Sequence, residues 1–264
     1  MQDLLVPTFV ILIPAFASVS GLTKWYKQVT VGASFIDAAL LVILFKSPQI
    51  SFYLVNNTTW IFAMMIVSIY ILSALFSLEY ISSKGAGIQE NLYYSLINLF
   101  VSTMLFTVLV NNYGLMWVGI EATTISSSLL LLAEKSHTSL EVAWRYIILV
   151  SAGVTMAFIS IIIIYYSLGT LVISQALKLA GNPQTLALAV SIALVGFGTK
   201  VGVFPVHTWL PDAHSEAPAP ISAMFSGILL PTALYALYML YRLHPMTDLF
   251  LGFGLTSVAF ATIA

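Results

Sequence analysis

The chain has 264 residues, of which 60% are hydrophobic and only 7% are charged, with a formal net charge of −1. A soluble domain carries about 25% charged residues because its surface faces water, so this composition excludes a soluble fold and predicts an integral membrane protein. The near-neutral balance offers no basic face for a nucleic acid. Because the sequence has no cysteine, disulfides, thiolate metal sites and iron–sulfur clusters within the chain are also excluded.

Apolar stretches long enough to cross a bilayer, each of about 20 residues, recur along the whole chain. They predict an all-α, polytopic transmembrane helical bundle of about nine spans, at about 4–22, 29–46, 60–80, 92–110, 113–133, 142–166, 186–216, 218–241 and 249–264. The first stretch has no basic leader or cleavage site, so we expect a retained span and no signal peptide. The last reaches Ala264 without a polar flank, so either the chain is naturally short or the sequence is truncated.

Two connections are longer than the rest. Residues 50–59 are too few and too polar to span, and they predict a surface hairpin or loop. Residues 167–185 contain glycines and a proline around an apolar core, and they predict an interfacial amphipathic helix. Aromatic residues at span ends predict a belt in the headgroup region; they are Trp25, Tyr26, Trp60, Tyr80, Tyr93 and Tyr94.

The basic residues of the connections favour one orientation. Alternate counting places Lys24, Lys27, Lys84 and Lys135 on one side and Lys46, Lys178 and Arg242 on the other. Since cytoplasmic loops carry an excess of lysine and arginine, we expect the loops after the first, third and fifth spans in the cytoplasm and the N-terminus outside.

The seventh span covers about 31 residues, which exceeds one straight crossing. Its helix-breaking residues are Gly196, Gly198, Gly202, Pro205 and Pro211. They predict a discontinuous helix, broken near 201–205. Non-helical backbone at membrane depth is tolerated only where it is buried in protein or lines a hydrated cavity.

Four ionisable residues are candidates inside predicted spans, where a charge costs at least about 3 kcal/mol, and Glu121 and Lys200 are the principal two. Glu121 lies in the middle of the fifth span, and Thr124 and Ser128 share its helix face. This stripe indicates a carboxyl turned into the bundle; the alternative is a protonated glutamic acid that joins two helices. Lys200 lies just before the predicted break, where desolvation lets an amine exchange its proton near neutral pH.

Together Glu121 and Lys200 predict a coupled pair. At about 8 Å and an effective dielectric of about 20, their attraction is about 2 kcal/mol. Protonation or withdrawal of the carboxylate would therefore weaken the hold of the lysine on its proton.

Arg145 and Asp37 are weaker candidates. Glu141 and Arg145 form an i,i+4 pair that supports a helix start; the alternative is that Arg145 contacts Glu121 or a neighbouring subunit. Asp37 lies in the middle of the second span, as a relay group or as a neutral acid bonded to a neighbouring helix.

His207 and His214 lie in the second half of the broken span, with Asp212 and Glu216 nearby. The histidines are seven residues apart and would share a face if this piece is helical. Metal ligation lacks the usual tight spacing, so a proton relay near the aqueous boundary fits these histidines better.

Residues 198–223, GTKVGVFPVHTWLPDAHSEAPAPISA, closely resemble the signature of the antiporter-like proton-channel subunits. These subunits occur in respiratory complex I, Mrp cation/proton antiporters and membrane-bound group 4 hydrogenases. Residues 116–121, MWVGIE, are similar to the fifth-helix motif of the family. The resemblance covers at least residues 90–245, and residues 212–220 followed by MFSGILL look most like the large subunit of hydrogenase-4 and formate-hydrogenlyase complexes.

The resemblance implies a non-catalytic subunit that translocates H⁺ or Na⁺ in a redox-driven complex or an Mrp-like antiporter. Glu121 and Lys200 would form the input half of a water-filled half-channel. Other membrane subunits and peripheral redox subunits would be its partners, with the redox centres outside this chain and no cofactor within it. The expected location is the cytoplasmic membrane of a prokaryote. A scaffold that keeps the fold without pumping is the alternative, and a stand-alone solute transporter is a third hypothesis.

The resemblance also implies a division into an N-terminal three-helix segment (1–91), one five-helix repeat (92–241) and the start of a further span (242–264). Relatives have two inverted repeats, so the output half is expected from missing sequence or another subunit. Pro231 stands where several relatives carry a lysine, and the histidine that others carry near Phe225 or Ser226 is absent. His207 is the expected substitute.

Overall fold

The computed structural model describes residues 2–44, 52–84, 89–133 and 137–263, and these residues are almost entirely helical. The α-helices in chain order are α1 (Gln2–Ala17), α2 (Tyr26–Leu44), α3 (Asn57–Lys84), α4 (Glu90–Leu109), α5 (Tyr113–Leu131), α6 (His137–Leu168), α7 (Ile173–Ala176), α8 (Pro183–Val201), α9 (Trp209–Glu216), α10 (Ala219–Met224), α11 (Leu230–Leu243) and α12 (Thr247–Ile263). A 3₁₀ turn, Ser18–Leu22, follows α1, and a π-helix, Phe225–Leu229, joins α10 to α11.

Eight helical segments in the described ranges are long and apolar enough to cross a bilayer. They are Leu5–Leu22, Tyr26–Leu44, Asn57–Ser83, Glu90–Leu109, Tyr113–Leu131, Thr138–Leu168, Pro183–Val201 and Ala219–Leu243. A ninth apolar stretch, Thr247–Thr262, is shorter. The predicted all-α, polytopic membrane bundle is therefore confirmed.

Helix α6 lies against α8 because small residues let the two backbones approach. A Cβ atom on Gly196 would lie 2.5 Å from the backbone nitrogen of Ala157, and a Cβ atom on Gly153 would overlap the side chain of Thr199. Any larger side chain at these glycines would push the helices apart. The close crossing positions the polar residues of α6 beside the C-terminal turn of α8.

The predicted break of the seventh span is confirmed. Helix α8 ends at Val201, and Gly202 adopts the left-handed conformation with φ +81°. The backbone nitrogens of Gly202 and Val203 both donate to the carbonyl oxygen of Gly198, each at 2.9 Å. This end is a glycine-terminated helix stop, and the chain turns through 203–208 before α9 begins.

The interfacial helix predicted for 167–185 is wrong. The segment contains only the single turn α7, and Ile173 and Ala176 are fully buried. The nitrogens of Ile173 and Ser174 donate to the backbone and side-chain oxygens of Asn111, at 3.2 and 2.9 Å. These bonds fix the segment onto the link between α4 and α5, where it forms a bonded loop with one helical turn and no longer helix.

The loop predicted for 50–59 is confirmed for 52–56, but its surface position is wrong, since Tyr53, Leu54 and Val55 are buried. Residues 50 and 51 lie outside the described residues. Helix α3 starts earlier than predicted, because the side chain of Asn56 accepts from the nitrogen of Thr59 at 2.9 Å and caps the first turn. The prediction that Tyr93 and Tyr94 belong to an aromatic belt in the headgroup region is wrong, because both side chains are fully buried inside the protein.

The charge asymmetry stays a prediction. Lys46 and Lys135 lie outside the described residues, as does the side chain of Lys84.

Candidate functional site

Lys200 is a charged side chain that is fully enclosed by the protein. It lies in the last turn of α8 and has no solvent-accessible surface. Its Nζ donates to Thr124 Oγ1 at 2.9 Å and to Tyr146 Oη at 2.6 Å. Both partners are neutral hydroxyls, so among the described residues this lysine has polar partners without a directly bound counter-ion.

Tyr146 on α6 joins the groups around this lysine. Its hydroxyl also lies 2.7 Å from Ser127 Oγ, and its ring centroid lies 5.0 Å from Lys200 Nζ. The other side of the ring packs on Trp209 of α9, with centroids 4.8 Å apart. Sequence reasoning missed Tyr146; the run of hydroxyl residues at 123–128 facing an apolar helix was the signal that a polar partner is required.

Glu121 lies half-buried on α5. Its Oε2 accepts a hydrogen bond from Ser151 Oγ of α6 at 3.2 Å. In the described part of the chain no direct ion pair joins Glu121 to Lys200, although the two charges act on each other. Acid and lysine are thus held by the same helix, one through Ser151 and the other through Tyr146.

The predicted polar stripe on α5 faces the protein interior, since Thr124 and Ser128 are both buried. Ser128 Oγ donates to the carbonyl oxygen of Ile125 in its own helix, at 2.7 Å. Ser127 is the serine that reaches α6.

His207 lies in the turn between α8 and α9. Its Nδ1 is buried and has no hydrogen-bond partner among the described residues, and its ring centroid lies 5.7 Å from that of Phe204. The shared helix face predicted for His207 and His214 is wrong, because residues 203–208 form a turn and only His214 is helical.

His214 lines an open polar cavity of about 600 Å³ beside α9. Its Nδ1 lies 2.8 Å from Ser222 Oγ, and Glu216 Oε2 on the same helix accepts from Thr138 Oγ1 at 2.9 Å. The remaining lining residues come from α3, α9 and the α10–α11 segment; they are Tyr80, Ser215, Ala217, Ala219, Ala223 and Ser226. Where the structure describes the chain, no cluster of three metal-binding side chains is found.

Arg145 forms surface ion pairs. Its guanidinium lies 2.5 Å from Glu141 of its own helix and 3.7 Å from Asp212 of α9. All three side chains are about half exposed or more. The i,i+4 pairing is therefore observed, and Arg145 connects α6 to α9 without an ion pair to Glu121.

The prolines and glycines of the broken segment take distinct positions. Pro205 is exposed in the turn, and Pro211 is the third residue of α9, where a helix leaves backbone N–H groups without intrahelical partners. Gly202 has the positive φ that favours glycine. Gly198 supplies the carbonyl that accepts at the helix end, and a Cβ there would make only ordinary contacts, the nearest at 3.8 Å.

Asp37 lies apart from this assembly. It is fully buried on α2, which packs against α1, α3 and α4. The structure therefore brings Glu121 and Lys200 together through α6 and places His207, His214, Arg145 and Asp212 on or beside α9.

Comparison with known proteins gives one family. Residues 110–264 match the family described as NADH:quinone oxidoreductase/Mrp antiporter, transmembrane. A hydrogenase-4 component F homolog of Methylacidiphilum infernorum is 34% identical, over 98% of this chain and 59% of that protein. The chain thus spans little more than half of that relative.

Two solved structures share the fold. A chain of an archaeal membrane-bound sulfane sulfur reductase has a TM-score of 0.81 at 21% identity and covers 92% of this chain and 54% of that one. A chain of respiratory complex I from Thermus thermophilus has a TM-score of 0.74 at 21% identity and covers 87% and 52%. The family resemblance found in the sequence is confirmed.

Proposed function

Because this chain belongs to the NADH:quinone oxidoreductase/Mrp antiporter transmembrane family, we propose that it translocates ions across the membrane through Lys200 and Glu121. It is an antiporter-like, multi-pass membrane protein.

The burial of Lys200 among neutral groups is the observation that carries the proposal. An ammonium group removed from water costs several kcal/mol, which hydroxyl partners offset only in part. A lysine whose purpose is packing or helix attachment gains more from a directly bound carboxylate. Lys200 instead lies beside a helix end, with its partners on two other helices, in an arrangement that suits gain and loss of a proton.

Glu121 supplies the control of this proton. Its charge acts on Lys200, so protonating the carboxyl removes an attraction that stabilises the ammonium form. An attraction of about 2 kcal/mol corresponds to a change of about 30-fold in a proton equilibrium. Small movements at Glu121 can therefore change the proton occupancy of Lys200 without a large displacement of α8.

The polar cavity beside α9 supports aqueous access to this region. Its wall contains His214 and Glu216, and it flanks the helix that carries Trp209. The ion that fits this set is the proton, with Na⁺ as the alternative. The expected partners are further membrane subunits of the cytoplasmic membrane and redox subunits that hold all the electron carriers.

Ion uptake into proteoliposomes that contain the intact assembly tests the proposal. Lys200→Met keeps the length of the side chain and removes the titratable group, and Lys178→Met, at an exposed lysine, is the matched control. We expect Lys200→Met to abolish ion uptake per turnover in an assembled complex and Lys178→Met to leave it unchanged. Unchanged uptake in Lys200→Met would make the subunit a scaffold and would reject the proposal.

A further inference from the structure

A second buried polar face lies on α2, far along the chain from Lys200. Thr30, Ser34 and Asp37 have no accessible surface, and their spacing of four and three residues places them on one side of the helix. Asp37 is 11 residues from the start of α2, which corresponds to about 16 Å along the helix axis. The carboxyl group therefore lies deep within the predicted second span.

Asp37 has no partner that stabilises a negative charge. Neither of its carboxyl oxygens has a hydrogen-bond partner, and it forms no ion pair, within the part of the chain that the structure describes. An unpaired carboxylate in such a place is costly, whereas the uncharged acid is far less so. The titratable group of α3 that its charge acts on is the hydroxyl of Tyr70.

Tyr70, on which the charge of Asp37 acts, belongs to a buried hydrogen-bonded cluster. Its hydroxyl donates to Asn98 Oδ1 of α4 and lies 3.3 Å from the carbonyl oxygen of Thr30. The amide nitrogen of Asn98 donates to Thr30 Oγ1 at 2.9 Å. Tyr70 and Asn98 are fully buried, like Thr30. The cluster thus joins α2, α3 and α4 through exchangeable O–H and N–H groups.

Further polar groups lie between this cluster and the protein surface at the start of α2. Thr30 Oγ1 donates to the carbonyl oxygen of Tyr26 at 2.8 Å, and the Tyr26 hydroxyl donates to Glu90 Oε2 at 3.1 Å. Lys27 forms an ion pair with the same carboxylate at 2.8 Å, and both side chains are 27% exposed. Water therefore reaches this end of the polar face.

Two further polar atoms near this outer end have unused hydrogen-bonding capacity. The hydroxyls of Ser20 and Tyr94 are buried and have no partner among the described residues. Tyr94 packs against Tyr26 with ring centroids 5.5 Å apart. These hydroxyls are therefore available as further hydrogen-bonding groups in this part of the protein.

We propose that Asp37 is a second proton-binding site, which exchanges its proton with the aqueous face at Lys27 and Glu90 along the polar side of α2. The carboxyl carries the proton in its buried acid form. Tyr70 and Thr30 provide the hydroxyls through which it enters and leaves. This site lies within α1–α4 and does not depend on the function proposed for Lys200.

Infrared difference spectroscopy of the intact assembly in lipid vesicles tests the inference. A protonated carboxylic acid has a C=O stretching band separate from that of a carboxylate, and the band shifts when water is replaced by D₂O only if the proton exchanges. We expect one such band in the wild type that Asp37→Asn removes and Asp248→Asn, at an exposed aspartate, leaves intact. If Asp37→Asn does not assemble, Asp37→Glu serves instead and shifts the band.

The path is tested by the rate of that exchange. We expect Tyr70→Phe and Thr30→Val to slow the D₂O shift at least about tenfold, while Tyr166→Phe, at a tyrosine that is 86% exposed, has no effect. Absence of an Asp37 band, a band that does not shift on the timescale of turnover, or an unchanged rate in both path variants would each overturn the inference.

Lys200→Met separates the two proposals. The Asp37 band and its exchange should be the same in that variant, whatever happens to ion uptake. A failure of the α2 path therefore leaves the Lys200 result standing, and the reverse also holds.

Discussion

The indole nitrogen of Trp209 donates a hydrogen bond to the carbonyl oxygen of Thr199 at 2.7 Å, which ties α9 to the end of α8 across the break. In a continuous helix the backbone nitrogen of Val203 would donate to the carbonyl oxygen of Thr199. Here it donates to the carbonyl oxygen of Gly198 instead. The indole occupies the place that the helix break leaves without a backbone donor, and this sets the distance between the two helical pieces.

Trp209→Phe should destabilise this junction. The ring keeps its contact with Tyr146, but the buried carbonyl of Thr199 loses its donor, which costs about 1–3 kcal/mol. Thermal unfolding of the assembly in detergent is the measurement, and Trp144→Phe, at a tryptophan that is 64% exposed, is the control. Equal melting temperatures for the two variants would contradict this account.

Tyr146→Phe should impair ion transfer while the complex still assembles. The change removes one of the two acceptors of Lys200 Nζ and the link to Ser127, and retains the aromatic packing on Trp209. Loss of a hydrogen bond to a charged group is worth about 2 kcal/mol, or about 30-fold in an equilibrium. We expect a comparable fall in ion uptake per turnover, measured against Tyr166→Phe, and normal uptake would remove Tyr146 from the mechanism.

Gly202→Ala and Gly198→Ala should have opposite effects. A Cβ at Gly202, where φ is +81°, destabilises the folded backbone by about 1–2 kcal/mol. The new atom would also lie 3.3 Å from the Leu210 side chain. At Gly198 the Cβ has room, and alanine in a helix is favoured over glycine by up to about 1 kcal/mol. Denaturation of the purified assembly should therefore be easier for Gly202→Ala than for wild type and no easier for Gly198→Ala.

Glu121→Gln should separate transport from stability. Glutamine keeps an oxygen that accepts from Ser151, so the helix contact survives while the charge that acts on Lys200 is lost. We expect ion uptake to fall by about tenfold or more with an unfolding midpoint close to wild type. Glu79→Gln, at an exposed glutamate, is the matched change of charge. A large loss of stability with normal transport would assign Glu121 to helix attachment.

The sequence predicted the membrane class and the break after Val201. It also predicted that Glu121 and Lys200 lie within the helical bundle. Each of these features depends on a local property: hydropathy over about 20 residues, a glycine and proline cluster, or a charge within an apolar run. The span boundaries also agree with the observed helices to within a few residues in most cases.

The partners of those residues were not predictable in the same way. Tyr146 has the same apolar neighbours in sequence as a tyrosine of the membrane interface, and only the crossing of α6 and α8 at Gly153 and Gly196 brings it to Lys200. Tyr93 was misassigned for the same reason, since its bond to Ser77 at 2.8 Å depends on how α3 and α4 pack. The prediction of an interfacial helix at 167–185 failed because Asn111, more than 60 residues earlier, fixes the backbone of this segment.

In the proposed proton exchange at Lys200, the hydroxyl groups around the lysine need only rotate. An ammonium group needs acceptors, and a neutral amine offers a lone pair that needs a donor; a Thr124 or Tyr146 hydroxyl serves either form by turning its hydrogen. Ser127 can reverse its bond with Tyr146 in the same step, because either oxygen can be the donor there. The lysine can therefore alternate between its two protonation states with its heavy-atom neighbours unmoved, and the reorganisation required is that of a few protons.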